Sequence, residues 1–222
     1  MLFFEFIQIF KNSLSNIDFI KTTTLSKTDF FQRNDTCLGN KINILYTGRI
    51  SWEKGLLELF NAFYKIRKFN NKVYLNIVGW EEELGKPIEN ELKILARSLN
   101  VIDYVCFHGF KNVGKELNEM YRAADIYIIP SYHEGFPRTI WEAMANSLPV
   151  ICTSVGSIPL ELDNDFDALL IKRKSVEEIE HAINKLIINP KLRQFLIKNG
   201  REKALENTLE VQTKKLINLI KP

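Results

Sequence analysis

The chain has 222 residues, 45% of them hydrophobic, and a formal net charge of +3. That length suits one α/β domain with extra segments, or two small domains, with an ordinary core. The charge is too mild to call for nucleic acid, and no basic run is interleaved with aromatics.

Three cysteines, Cys37, Cys106 and Cys152, fit a reducing compartment. Cys106 and Cys152 stand in apolar strand patterns and read as small core residues. No Cys or His spacing reads as a zinc site. His133-Glu134 lacks a second histidine, and Pro137 holds its place, so a zinc-peptidase helix is excluded. Residues 1–10 are apolar but short, with Glu5 among them, and match neither a spanning helix nor a signal peptide. A cytoplasmic protein is the expectation. Lys172-Arg173-Lys174, the densest basic run, reads as a solvated edge, which leaves peripheral contact with anionic lipid open.

In chain order, residues 1–40 read as a short helix and an irregular, Asn-, Ser- and Thr-rich connection, with a boundary near Asn40. A regular pattern then fills 41–222. Lys41 to Tyr46 is a strand ended by Thr47-Gly48, and Leu56, Leu59, Phe60, Phe63 and Ile66 repeat at helical spacing. Val73 to Val78 is a strand stopped by Gly79, and a helix covers about Ile88 to Leu99. Tyr104 to His108 is a strand ended by Gly109. A helix near Lys115 to Ala123 leads into the strand Asp125 to Ile129. A loop, a short helix and the strand Val150 to Thr153 follow, then a last short strand, Ala168 to Ile171. The C-terminal third is helical, with a stripe from Val176 to Ile187 and a closing helix from Leu209 to Ile220. Strands alternating with helices predict a Rossmann-like parallel sheet with helices on both faces. In such sheets ligands bind at the carboxyl ends of the strands. The loops after Gly48, Gly79, Gly109 and Ile129 should therefore share one edge.

Two stretches on that edge carry chemistry. Gly48-Arg49-Ile50-Ser51-Trp52-Glu53-Lys54-Gly55 joins the first strand to the first helix. Arg49 offers a forked cation and Lys54 a point charge near helix amides, an anion pocket suited to a diphosphate. The turns lack Gly-x-Gly-x-x-Gly and no Walker A run is present, which sets aside dinucleotide enzymes and P-loop NTPases. The second stretch runs from Pro130 to Ile151. Pro137 separates Glu134, on the loop, from Glu142, on the helix that follows.

The second stretch resembles the Glu-x7-Glu motif of retaining glycosyltransferases of family 4, which have the GT-B fold. Glu134-Gly135-Phe136-Pro137, Glu142-Ala143-Met144-Ala145 and Leu148-Pro149-Val150-Ile151 carry the likeness. It covers roughly Lys41 to Pro222, one half of a GT-B fold, the donor-binding domain. The resemblance implies transfer of a sugar from a nucleotide diphosphate with retention of configuration and without a metal or other cofactor. It assigns Arg49 and Lys54 to the pyrophosphate, Glu134 to hydroxyls of the transferred sugar and Glu142 to the ribose. Gly48 and the backbone at Gly135, Phe136 and Pro137 would border the sugar and phosphate, and Phe110 and Lys111 the base. His108 reads as a strand-end packing residue. Ser147 and Ser157 stand where the family usually has glycine, and Leu160-Glu161 where a glutamate comes one residue earlier.

The first forty residues are too few to build the acceptor-binding domain. The chain therefore reads as a fragment, a truncated product or half of a split enzyme. Its implied partners are a nucleotide-sugar donor, a glycan or lipid-linked acceptor and a separate chain with the acceptor domain. The alternative is an incomplete nucleotide-binding or interaction module that does not transfer. The closing helix, which leans on the missing domain in this fold, should then show apolar surface.

Overall fold

A computed structural model describes residues 20–220 apart from Thr22. The helix expected at the apolar start lies outside the described residues. Among the described residues, six strands form one parallel sheet in the order β3-β2-β1-β4-β5-β6. They are β1 (Ile42–Arg49), β2 (Val73–Trp80), β3 (Val105–Gly109), β4 (Ile126–Ile129), β5 (Val150–Thr153) and β6 (Leu169–Ile171). Helices α1 (Leu56–Phe69), α2 (Pro87–Ser98), α3 (Lys115–Ala123) and α4 (Arg138–Ala145) follow the first four strands in turn. A single turn, α5 (Ile158–Glu161), follows β5, and α6 (Val176–Ile188), α7 (Pro190–Leu205) and α8 (Leu209–Ile220) complete the chain.

The central strands are apolar on both faces because helices cover both. Ile44, Leu45, Ile126, Ile128, Val150 and Ile151 are fully buried. The stripe of α1, Leu56, Leu59, Phe60, Phe63 and Ile66, is also buried. The buried positions of α6, Ile179, Ile183 and Leu186, follow the expected spacing. On α8, Leu209, Leu216, Ile217 and Leu219 are exposed.

Two strand readings change. β1 and β2 do not stop at their glycines: the ladder continues through the pairs Gly48↔Gly79 and Arg49↔Trp80. Arg49 is thus the last residue of a strand, and its backbone is fixed by pairing. Cys106 is exposed, whereas Cys152 is buried. The reason is topological: β3 lies at the edge of the sheet, so an apolar run there has only one covered face.

Residues 23–40 hold one 3-10 turn, Lys27–Asp29, closed by a capping box at Ser26. Arg33 donates to the carbonyls of Tyr121, Arg122, Ala124 and Ser147. Asp35 pairs with the buried Arg193 at 2.8 Å. Ser147 has φ +55°, the left-handed region where glycine is common. Its hydroxyl donates to the Phe31 carbonyl at 2.7 Å, a bond that glycine could not make.

Asp167, beside α7, is buried. Its Oδ1 accepts from the Asp163 amide at 2.9 Å, and its Oδ2 has no partner. Burial pushes its pKa up to about 6, against about 3.9 unfolded. The native state then holds a proton that the unfolded state releases between those values. The ionised carboxylate costs stability above about pH 6, and the cost is relieved as pH falls toward 4. Asp167→Asn keeps the Oδ1 acceptor. It is expected to raise Tm at pH 7.5, by an amount that shrinks at pH 4.5. A loss of Tm at pH 7.5, or an equal gain at both pH values, would contradict this.

Candidate functional site

β1 and β4 are neighbours in the sheet, but the chain leaves them in opposite directions, toward β2 and toward β5. Their carboxyl ends flank the topological switch point, where open α/β sheets hold ligands. β1 delivers Arg49, a 3-10 turn over Trp52–Lys54, and Gly55. β4 delivers the loop from Pro130 to Pro137. The two loops are locked together. The Tyr132 amide donates to the Glu53 carbonyl at 2.7 Å. Gly55 adopts φ +67°, and a Cβ there would stand 2.1 Å from the Pro130 carbonyl oxygen, so only glycine permits this approach. The Tyr132 hydroxyl donates to Glu58 at 2.6 Å.

At this junction Lys54 Nζ meets Glu134 Oε1 at 2.5 Å, with side-chain exposures of 15% and 11%. Two charges this far out of water hold each other in place, because either alone would be costly. Glu142 lies eight residues further on, in the second turn of α4. Tyr121 of α3 donates to its Oε2 at 2.8 Å. That hydroxyl also lies 2.9 Å from Thr47 Oγ1, which lies 3.1 Å from the Tyr127 hydroxyl. Burial pushes the Glu142 carboxyl above the usual range, and the bond from Tyr121 partly offsets it. Glu142 opens into a small cleft with Thr24, Leu25, Asp29, Gly114 and Asn118.

Arg49 points elsewhere. Its Nη1 lies 3.1 Å from Glu82 Oε1, both side chains largely exposed. It shares a cleft with Ser51, Glu81 and Glu83. Gly48 pairs in the ladder beside it. Phe110 is exposed and packs edge-on against Trp80, centroids 5.6 Å apart. Lys111 beside it is half-buried. His108 keeps a packing position: its Nε2 lies 2.9 Å from Asn76 Oδ1, and burial and Lys111 hold its pKa low. Pro137 is the N-cap residue of α4, with no side-chain cap. The Phe136 ring stacks on Trp141, centroids 4.4 Å apart. Gly135 offers its carbonyl to the Ser157 amide and hydroxyl at 3.0 and 2.8 Å.

The structure thus joins Lys54 to Glu134 directly, gives Arg49 an acidic partner from the next loop and seats Glu142 on a tyrosine. Three participants escaped the sequence reading. Tyr121 falls inside the helix expected near Lys115 to Ala123, with no role of its own. The run Glu81-Glu82-Glu83 falls between the strand stopped by Gly79 and the helix from about Ile88, a stretch given no reading. Trp80 had a usable signal, since Gly79-Trp80 at the end of β2 repeats Gly109-Phe110 at the end of β3.

A family model described as glycosyl transferases group 1 matches residues 28–203. The chain belongs to that family. It is 26% identical over 200 residues to an uncharacterized glycosyltransferase of Methanocaldococcus jannaschii, covering 90% of this chain and 50% of that one. The crystal structure of the C-terminal domain of a glycosyl transferase group 1 family protein from Francisella tularensis superposes with a TM-score of 0.74 at 24% identity. That match covers 83% of this chain and 99% of that one. The HepE protein of Anabaena, solved in complex with UDP-glucose, superposes with a TM-score of 0.73 at 21% identity, over 81% of this chain and 49% of that one. At such identities the two structures speak to fold, that of the C-terminal domain of a GT-B glycosyltransferase. The chain spans half or less of the length of the curated relatives it matches first. No helix among the described residues is long and apolar enough to cross a membrane.

The glycine contact yields a direct test of how the two loops depend on each other. Gly55→Ala must leave the left-handed region or push Pro130 away, at a cost of about 3 kcal/mol. Denaturant unfolding should show that loss with an unchanged m-value. A loss below about 0.5 kcal/mol would mean that the loops are not held by this contact.

Proposed function

From membership of this family, we propose that the chain holds a nucleotide diphosphate sugar across the carboxyl ends of β1 and β4, as the donor-binding half of a retaining glycosyltransferase. The observation that carries the proposal is the Lys54–Glu134 pair, a cation and an acceptor held side by side at the switch point. The diphosphate draws Lys54 and Arg49 away from Glu134 and Glu82, since a doubly charged anion outbids a single carboxylate. Glu134, released, accepts hydrogen bonds from hydroxyls of the transferred sugar. Glu142, steadied by Tyr121, accepts from the ribose hydroxyls. The α4 amides behind Gly135, Phe136 and Pro137 face the sugar and phosphates, beside Gly48. Trp80 and Phe110, with Lys111, offer the base an exposed aromatic edge.

The two cations then stabilise the charge that gathers on the departing diphosphate, which is electrostatic catalysis. No resident metal or other cofactor has a part in the proposal. The complex of the Anabaena relative with UDP-glucose supports a nucleotide-sugar donor. The acceptor is a glycan or a lipid-linked sugar, presented by a separate acceptor domain. The exposed apolar row on α8 offers such a partner a contact surface. That row equally serves the second reading, a nucleotide-binding or interaction module without transfer.

Thermal unfolding of the purified chain with UDP, GDP and ADP tests the donor site. A nucleotide at about 100 times its dissociation constant adds about 2.7 kcal/mol, roughly 5–10 °C for a chain of this size. Arg49→Ala should remove most of the shift. Glu142→Gln should remove it too, while leaving the ligand-free Tm equal or higher, because it deletes a buried ionised carboxyl. The absence of any shift in a folded chain would refute the donor site.

A further inference from the structure

A second cleft opens on this edge of the sheet, apart from the crevice between β1 and β4. It lies over the ends of β4, β5 and β6 and has a volume of about 830 Å³, within the 300–1,000 Å³ usual for small-molecule sites. Three successive strands supply its walls: Tyr132 and Glu134 after β4, Ser154 and Gly156 after β5, Lys172 and Arg173 after β6. Glu134 therefore stands between two spaces, with Lys54 on one side and this cleft on the other.

The wall shared with Glu134 is rigid. Gly156 has φ +59°, and a Cβ there would lie 1.8 Å from the Glu134 carbonyl oxygen, so the β5 loop rests directly on the β4 loop. Ser157 fastens it with two bonds to the Gly135 carbonyl. The charge in the cleft is one-sided. Glu134 is neutralised by Lys54. Lys172, 85% exposed, leans on Glu178 at 2.9 Å, a surface pair that yields easily. Arg173 forms no ion pair among the described residues. Lys174 stays close, its Nζ 4.8 Å from the centre of the Tyr132 ring.

We propose that this cleft is an oxyanion subsite for a sugar unit, which places a carboxylate or phosphate against Arg173 and Lys172 while its hydroxyls reach Glu134. The Lys172-Arg173-Lys174 run is then a specificity device rather than a solvated edge. The assignment rests on the proposed role of Glu134. The anion has two sources, a uronic acid on the donor or a phosphate on the acceptor, and both present the same chemistry to a forked cation.

Amide NMR titrations of the isotope-labelled full chain separate these cases. UDP alone reports the donor crevice. UDP-glucuronate is compared with UDP-glucose, and glucose 6-phosphate with glucose, with inorganic phosphate as a further arm. Each titration is repeated on the Lys172→Gln/Arg173→Gln double variant. At least one anionic sugar should bind about ten-fold more tightly than its neutral twin, the product of two partly exposed cation contacts. It should shift Ser154, Gly156 and Arg173. The double variant should lose that preference and bind UDP as before. Preference for UDP-glucuronate would assign the anion to the donor, and preference for glucose 6-phosphate to the acceptor. A preference that appears when UDP does not bind would uphold the subsite and refute the donor site. Equal affinity for anionic and neutral sugars, a preference that survives in the double variant, or inorganic phosphate binding there as tightly as either sugar would overturn the proposal.

Discussion

The site depends on the contact between the loops that follow β1 and β4. They come from strands that are adjacent in space and far apart in sequence. Gly55 against Pro130, and the Tyr132 amide on the Glu53 carbonyl, bring them within reach. Only that closeness lets Lys54 and Glu134 share a 2.5 Å bond at low exposure. The sheet sets the rest: the ladder fixes Arg49 as the last residue of β1, and α4 fixes Glu142 relative to Glu134.

Both cations proposed for the diphosphate are engaged by acids. The two pairings differ in kind. Lys54–Glu134 is nearly buried, so losing one partner without a replacement would be expensive. Arg49–Glu82 is largely exposed and is worth at most about 1 kcal/mol. In the proposed account a diphosphate finds Arg49 first at little cost, then replaces Glu134 at Lys54 and frees that carboxylate for the sugar. In the same proposed account Glu142 needs no such exchange: Tyr121 occupies one of its oxygens, and the other would serve a ribose hydroxyl.

The fold was legible because helical and strand periods alternate cleanly from Lys41 onward. The meeting of Lys54 with Glu134 follows from two loops that the sequence placed on one edge, because the neighbours of both residues form extended motifs. What was hidden is what depends on strand order. Cys106 has the same apolar neighbours whether β3 is central or at the edge, and only the sheet decides that it is exposed. Tyr121 has the spacing of a core residue, and its hydroxyl becomes significant only because α3 lies beside α4. The grip of Arg33 on four carbonyls left no trace, since an irregular polar stretch has no period to read.

The central claim is that one ligand bridges the two loops at the switch point. Hydrogen–deuterium exchange of the chain, with and without the nucleotide that stabilises it, tests this most directly. The account predicts slowed exchange in residues 49–55 and 134–142 together, with the helices α6 and α7 unchanged. Protection of one segment without the other, or confined to residues outside both, would contradict it.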